Sequence, residues 1–211
     1  LTVKTGEIVG FLGPNGAGKT TTLKMLTTLL DPTGGTAIVA GSDLRTDSVG
    51  VRRKIGYVSQ AGSTSAEALV GEEIVDHARL YGIAPEVSKK RARDLLKALE
   101  LDDVWDRKCG SLSGGQRRRL DIVMGLIHQP VLVFLDEPST GLDPQSRANL
   151  WTHIRKLRDE LGTTVFLTTH YMDEADSLAD RILIIDQGTI VAEGTPTELK
   201  KRVSGDTITL T

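Results

Sequence analysis

The chain has 211 residues, enough for one full core or two closely packed subdomains. Its 26 Lys and Arg against 28 Asp and Glu leave a formal net charge of −2, a balance that gives no support for broad nucleic-acid binding. The single cysteine, Cys109, excludes an internal disulfide and argues against a cysteine zinc site, in keeping with a reducing, cytoplasmic setting; no apolar stretch approaches membrane-spanning length and no signal peptide is visible.

In chain order, Leu1-Thr2-Val3 opens inside what reads as a strand without an initiator methionine, so a cut N-terminus is expected. Glu7 to Leu12 is a short apolar run with the character of a buried strand. It leads into Gly13-Pro14-Asn15-Gly16-Ala17-Gly18-Lys19-Thr20, which matches the phosphate-binding pattern G-x-x-x-x-G-K-[ST]. A helix is expected over 18–30, with Leu23, Leu26 and Leu30 at helical spacing. The glycines let the backbone turn tightly and bring its N–H groups to phosphate oxygens, and the helix N-terminus adds unpaired donors and the positive end of its dipole. Lys19 supplies a cation for the β- and γ-phosphates, Thr20 a hydroxyl for Mg²⁺, and the expected nucleotide contact runs on to Thr21.

Asp31 to Gly35 is a turn-rich connector to a strand expected at 36–40, and Tyr57 and Val58 end another short strand at Gln60. From Gly71 to Leu101 the pattern is helical, through Ile74, Ala78 and Tyr81 and then Ala92, Leu95, Leu96 and Leu99. Leu112-Ser113-Gly114-Gly115-Gln116 precedes a helix with Leu120, Val123, Met124 and Ile127 on one face. Ser113 can cap that helix, and the two glycines leave its first amides bare, making a second anion-binding terminus. Arg117-Arg118-Arg119 reads as a solvated helix face, and Trp105 and Trp151 as packing residues.

Val131 to Leu135 is a continuous apolar run, as expected of a strand covered on both faces of a parallel sheet, and it ends in Asp136-Glu137-Pro138. Carboxylates at that end of a strand lie where open α/β sheets bind ligands. Asp136 is placed to hold Mg²⁺, and Glu137 to orient and polarise an attacking water. A helix at 144–161 with Gly162 as its C-cap, strands at 163–168 and 181–186, and a capping box at Thr195-Pro196-Thr197-Glu198 complete the expected core. Asp206 to Thr211 alternates like a strand and then stops, so a further C-terminal segment is expected.

At this point the sequence resembles the nucleotide-binding domain of ATP-binding cassette (ABC) transporters. Leu112 to Gln116 is similar to that family's signature motif, residues 13–20 to its Walker A loop, and 131–136 to its Walker B strand. Tyr57-Val58-Ser59-Gln60 resembles its Q-loop, Ser139 to Asp143 its D-loop, and Thr168-Thr169-His170 its switch-histidine loop, all in the family's order. Alone, Gln60 reads as a surface amide and His170 as an ordinary strand-end histidine; the ordered set reverses both readings.

The resemblance implies an α/β P-loop NTPase with a RecA-like core, an antiparallel β subdomain and an inserted helical subdomain. All of 1–211 would form one ABC ATPase domain, with the core at 1–60 and 131–211 and the helical subdomain at about 61–130. It implies ATP and Mg²⁺ as ligands. Gln60 would contact Mg²⁺ or the attacking water, and His170 would hold the γ-phosphate and help Glu137. Leu112, Ser113, Gly114, Gly115 and Gln116 would meet the ATP of an opposite protomer, and Asp143 would lie at the seam of a homodimer or heterodimer.

The aromatic residue that family members carry upstream to stack on adenine has no counterpart in the chain. The resemblance further implies transmembrane permease subunits engaged through a groove with Ala61, Leu69, Val70 and Tyr81 as candidate lining, although Leu69 and Tyr81 read more readily as subdomain core. The location implied is cytoplasmic, peripheral to the cell membrane. Gln116 to Asp121 and Thr169 to Ala175 are most similar to exporter ATPases of the daunorubicin-resistance type, with a drug-like, antibiotic or lipid-like cargo. The alternative readings are a soluble ABC ATPase acting on ribosomes or DNA, and a degenerate regulatory subunit; Glu137 and His170 argue against the second.

Overall fold

The computed structural model describes residues 1–203. The phosphate-loop strand β1 spans Ile8–Leu12 and is followed by helix α1, Lys19–Leu26. A hairpin of two short strands, β2 (Ile38–Val39) and β3 (Ser42–Asp43), precedes α2 (Ser48–Lys54) and β4 (Ile55–Val58). Helices α3 (Val70–Leu80), α4 (Pro85–Ala98) and α5 (Gly114–Leu126) come next, and β5 (Leu132–Asp136) re-enters the sheet. The remainder is α6 (Pro144–Leu161), β6 (Thr164–Thr169), α7 (Met172–Leu178), β7 (Arg181–Asp186), β8 (Thr189–Gly194) and α8 (Pro196–Val203).

The main sheet has the order β4-β5-β6-β1-β7-β8. Its pairings are parallel except for the antiparallel β7–β8 edge. Parallel strands need covering on both faces, and the apolar side chains sort accordingly. One face carries Ile8, Val133, Leu135, Val165 and Leu167 against α3, α4, α5 and α6. The other packs Phe11, Phe134 and Phe166 under α1 and α2, with Phe166 5.5 Å from Phe11 and 5.6 Å from Phe134 between ring centroids. The C-terminal ends of β1, β4, β5 and β6 therefore open onto one edge, and the phosphate loop, Gln60, Glu137 and His170 follow directly from them.

Three sequence expectations change. Helix α1 stops at Leu26 rather than reaching residue 30. Thr28 takes a left-handed φ of 62°, and the amides of Thr28 and Leu29 donate to Met25 O (3.0 Å) and Lys24 O (2.8 Å). This is a Schellman closure without the usual glycine, so the sequence carries no stop signal. The strand expected at 36–40 shortens to Ile38–Val39, paired only with Ser42–Asp43. The helical stretch 71–101 divides into α3 and α4 around Gly82, whose φ is +73°.

Other expectations hold. Gly162 is the left-handed C-cap of α6, φ 65°, and Thr195 and Glu198 make the reciprocal capping bonds of α8 at 2.8 and 3.2 Å. Trp151 is a packing residue whose Nε1 donates to Glu174, and Trp105 sits under Arg93. The strand expected at 206–211 lies outside the described residues.

Candidate active site

The phosphate loop is shaped by backbone constraints. Gly18, the N-cap of α1, has φ +102°, a conformation open to glycine and costly for residues with a Cβ. Gly13 is required for contact: a Cβ there would lie 2.4 Å from Ile185 O on the neighbouring β7. The loop closes over Lys19, only 4% exposed, whose Nζ donates to Gly13 O at 2.9 Å and Pro14 O at 3.1 Å. At the first turn of α1 the backbone N–H groups have no intrahelical acceptors, which suits the site to an anion.

A cavity of about 510 Å³ gathers Asn15, Gly16, Gly18, Lys19, Thr20, Thr21, Gln60, Glu137, Thr140 and His170. These are residues from the phosphate loop, the Q-loop, the end of β5, the D-loop and the end of β6. Glu137 is the hub. Its Oε1 lies 3.2 Å from Lys19 Nζ, while Oε2 accepts from Gln60 Nε2 and Thr140 Oγ1, both at 3.2 Å. His170 Nδ1 is also 3.2 Å from Oε2, without the alignment of a hydrogen bond. Burial would raise the Glu137 carboxyl, but the hydrogen bond and charge of Lys19, with His170 and Thr140, outweigh it and hold the group below its ordinary value.

Glu137 sits at φ +45°, an uncommon backbone for a non-glycine residue. Its amide is fixed on Thr168, with the carbonyl oxygen at 3.1 Å and the hydroxyl at 3.0 Å. Beside it Asp136 is 2% exposed, and its Oδ1 accepts from Thr168 Oγ1 at 2.7 Å and Thr20 Oγ1 at 3.2 Å. These are hard oxygen donors next to the phosphate loop, a set that suits a hard divalent cation shared with phosphates.

The signature residues do not line this cavity. Ser113 caps α5: its Oγ accepts from Gln116 N at 3.2 Å while Gln116 Oε1 accepts from Ser113 N at 3.0 Å. The Leu112 side chain is buried in the core, and Gly114 and Gly115 lie at the surface end of the helix. Asp143 is exposed and caps α6, with Oδ1 accepting from Ser146 N at 2.9 Å and Oδ2 from Ser146 Oγ at 2.6 Å. The two helix ends adjoin, since a Cβ on Gly115 would stand 3.1 Å from Ser146 Oγ. The chain therefore presents two polar surfaces, one around Lys19 and Glu137 and one around Ser113 and Asp143.

The arginine run departs from expectation. Arg118 is not on a solvated face: it is 7% exposed and donates to Pro138 O, Ser59 O and Asp136 O. Asp121 is buried beside it and takes the amide of Ser63 at 3.2 Å, because α5 is packed nearly all round. Glu174, which the sequence marks only as part of the Thr169 to Ala175 resemblance, is fully buried in α7 and accepts from Ser139 Oγ and from Trp151 Nε1. It stands in the first turn of α7 among Asp173 and Asp176, so the sequence does not set it apart from its acidic neighbours.

Of the groove residues, Ala61 is exposed, Leu69 is half-buried, and Val70 is fully buried and so lines nothing. Tyr81 is 41% exposed and stacked on His128 at 3.9 Å, so it is not subdomain core.

Comparison with known proteins fits this geometry. The profile of the ABC transporter family matches residues 1–140. The chain belongs to that family. It is 49% identical over its whole length to the daunorubicin/doxorubicin resistance ATP-binding protein DrrA of Streptomyces peucetius, of which it covers 63%. It is 40% identical, over 93% of its length, to the Nod factor export ATP-binding protein I of Burkholderia orbicola, covering 64% of that protein. The chain thus spans just under two thirds of these relatives.

Among solved structures it resembles the dimeric, post-hydrolysis state of the ATP-binding cassette MJ0796 bound to ADP and Pi. The TM-score is 0.81, at 29% identity over 93% of this chain and 88% of that one. As an ABC ATPase domain the chain has the mixed α/β fold with a mainly parallel sheet that this family implies. No helix among the described residues is long and apolar enough to cross a membrane.

Proposed function

We propose that this ABC domain binds and hydrolyses ATP as the ATP-binding subunit of an exporter, working as a homodimer or heterodimer of such domains beside separate transmembrane subunits. The observation that carries the reading is the separation of the two polar surfaces. Lys19, Thr20, Asp136, Glu137 and His170 form one half of a nucleotide site, and Ser113, Gly115 and Asp143 form a complementary surface directed elsewhere on the same chain. Two copies facing one another complete both halves twice.

In this reading Gly13 to Thr21 grip the phosphates through backbone amides, and Lys19 turns from Glu137 to the β- and γ-phosphates. Thr20 and Asp136, with Gln60, would hold Mg²⁺, which supplies positive charge to the phosphate oxygens. Glu137 orients a water in line with the γ-phosphorus, accepts a hydrogen bond from it and takes the proton the water loses on attack, later releasing it to phosphate or solvent, while His170 steadies the γ-phosphoryl oxygens. Water oxygen bonds to phosphorus, the bond to the bridging β–γ oxygen breaks, and ADP and phosphate leave. Because such a transition state is stabilised by position and charge, a half-site without the partner's Ser113 surface is slow.

The relatives' names, of doxorubicin resistance and Nod factor export, support an exported cargo that is drug-like or antibiotic. We infer a lipid-like cargo as a further class and a cytoplasmic position at the membrane from the proposed role beside transmembrane subunits. Two experiments test the reading. Phosphate release should be ATP- and Mg²⁺-dependent and should fall to background in Lys19→Ala. The protein should co-purify with a membrane subunit rather than with ribosomes or DNA. Turnover that survives Lys19→Ala would count against it.

A further inference from the structure

We propose that Arg118 is a positioning residue that holds Glu137 and the Q-loop in register with the signature helix, so that engagement of Ser113 at one site sets the hydrolytic geometry of the other. The inference deepens the sandwich reading above and rests on it.

Arg118 lies in the second turn of α5, whose N-terminus carries Ser113 and Gly115. Its guanidinium is spent on three backbone carbonyls. Nε donates to Pro138 O at 2.8 Å, Nη2 to Asp136 O at 3.0 Å, and Nη1 to Ser59 O at 2.6 Å. The first two acceptors flank Glu137 on either side, and the third immediately precedes Gln60. A guanidinium is a planar, rigid fork, so its donors cannot adjust independently as the ammonium of a lysine can. The carbonyls of residues 136 and 138 are thereby fixed relative to each other, and the peptide between them is the one at φ +45°. A left-handed glutamate persists only where its surroundings over-determine it. Here the amide of Glu137 is bound to Thr168 and both neighbouring carbonyls are bound to Arg118.

The burial of this charge is informative. The nearest carboxylate oxygen, on Asp121, is 4.0 Å away, beyond hydrogen-bonding distance. Burial pushes the Arg118 pKa down, with Asp121, Asp136 and Glu174 opposing. A buried charge is a costly way to fill a core position, and here it is retained with all three donor directions committed to backbone carbonyls that an apolar side chain would leave without those donors. The D-loop is held from its other side as well, by the Ser139 hydroxyl on Glu174. Ser113 and Arg118 are five residues apart, about 7.5 Å along a helix axis, so a small tilt of α5 moves the fork with it.

The test uses Arg118→Lys and Arg118→Gln beside the wild-type chain, each checked by thermal melting. Three quantities are read: steady-state kcat and KM for ATP, calorimetric ADP affinity, and amide hydrogen exchange. With the fork lost, kcat should fall about tenfold or more while KM and ADP affinity stay within about twofold. Exchange should quicken at 136–140 and around residue 60, with 114–126 still protected. The lysine variant, able to reach one or two of the carbonyls, should retain more activity than the glutamine variant.

A folded lysine variant with wild-type kcat and unchanged exchange would overturn the proposal. So would an effect confined to KM, or a failure of both variants to fold, which would assign Arg118 to packing alone. Exchange requires no turnover, so it judges Arg118 even if the wild-type chain proves inactive, an outcome that would strike the hydrolysis reading instead.

Discussion

Lys19 and Glu137 form an ion pair across the mouth of the phosphate loop, Nζ to Oε1 3.2 Å, with side chains 4% and 10% exposed. The carboxylate occupies the cation that the proposed nucleotide needs. Binding therefore has to break an existing interaction before it makes a new one, and Glu137 is free to meet water only after Lys19 has turned away.

That competition predicts tighter binding when the carboxylate is neutralised. Glu137→Gln should bind ADP about 3- to 10-fold more tightly than wild type, the scale of one ordinary net hydrogen bond. ADP is the better probe because it lacks the γ-phosphate, whose repulsion by Glu137 would add a second effect. Calorimetry that finds equal or weaker affinity would remove the ion pair from the binding equilibrium.

His170 is close enough to Glu137 to act with it but is not bonded to it in this arrangement. Its role should emerge during turnover. His170→Ala should lower kcat by about a hundredfold or more while altering ADP affinity little, since positioned proton-transfer and electrostatic groups contribute on that scale. A kcat within a few-fold of wild type in a phosphate-release assay would move His170 out of the site.

Ser113 carries two duties that can be separated. In a single copy its hydroxyl caps α5, so Ser113→Ala should cost the isolated chain about 1 kcal/mol in chemical denaturation. Ser113→Arg should spare single-copy nucleotide binding but block association of two copies. Unaltered turnover in Ser113→Arg would contradict the two-sided site.

Glu174 gives the fold a pH signature. Burial raises its carboxyl above the ordinary value of 4.5, while Ser139, Thr169 and Trp151 oppose the shift without cancelling it. Below that ordinary value the carboxyl is protonated in both the folded and unfolded chains and costs nothing. As pH rises, the unfolded chain sheds the proton first, and the folded state loses stability until its own raised pKa is passed. Glu174→Gln keeps an acceptor for Ser139 and Trp151 without that penalty. Its melting temperature should exceed the wild type's at about pH 8, and the gap should close as pH falls toward 4.5. A gap independent of pH would show that the carboxyl titrates normally.

The legible parts of this molecule are those where one local requirement dictates the residues. Val133 to Leu135 must be apolar because both faces of β5 are covered, and Gly13 and Gly18 must be glycine because of Ile185 O and a φ of +102°. Ser113 and Thr195 could be read as caps because a cap is a contact across three residues.

What stayed hidden depends on distant segments. Arg118 has the same letters around it as a solvated arginine, and only the fold brings the carbonyls of residues 59, 136 and 138 to one guanidinium. The end of α1 is not legible because Thr28 stands where a glycine would announce the turn. Strand β8 is an edge strand with Ile190 and Val191 partly or largely exposed, so it lacks the one-sided burial that makes alternation visible.

In the proposed function the Lys19–Glu137 half-site and the Ser113–Asp143 surface form one nucleotide site completed by two chains. The most direct measurement is the solution mass of Glu137→Gln with and without ATP and Mg²⁺. The expected result is a monomer that becomes a dimer only with ATP and reverts when ATP is replaced by ADP. A Glu137→Gln chain that binds ATP by calorimetry yet stays monomeric, alone and beside its membrane subunits, would contradict it.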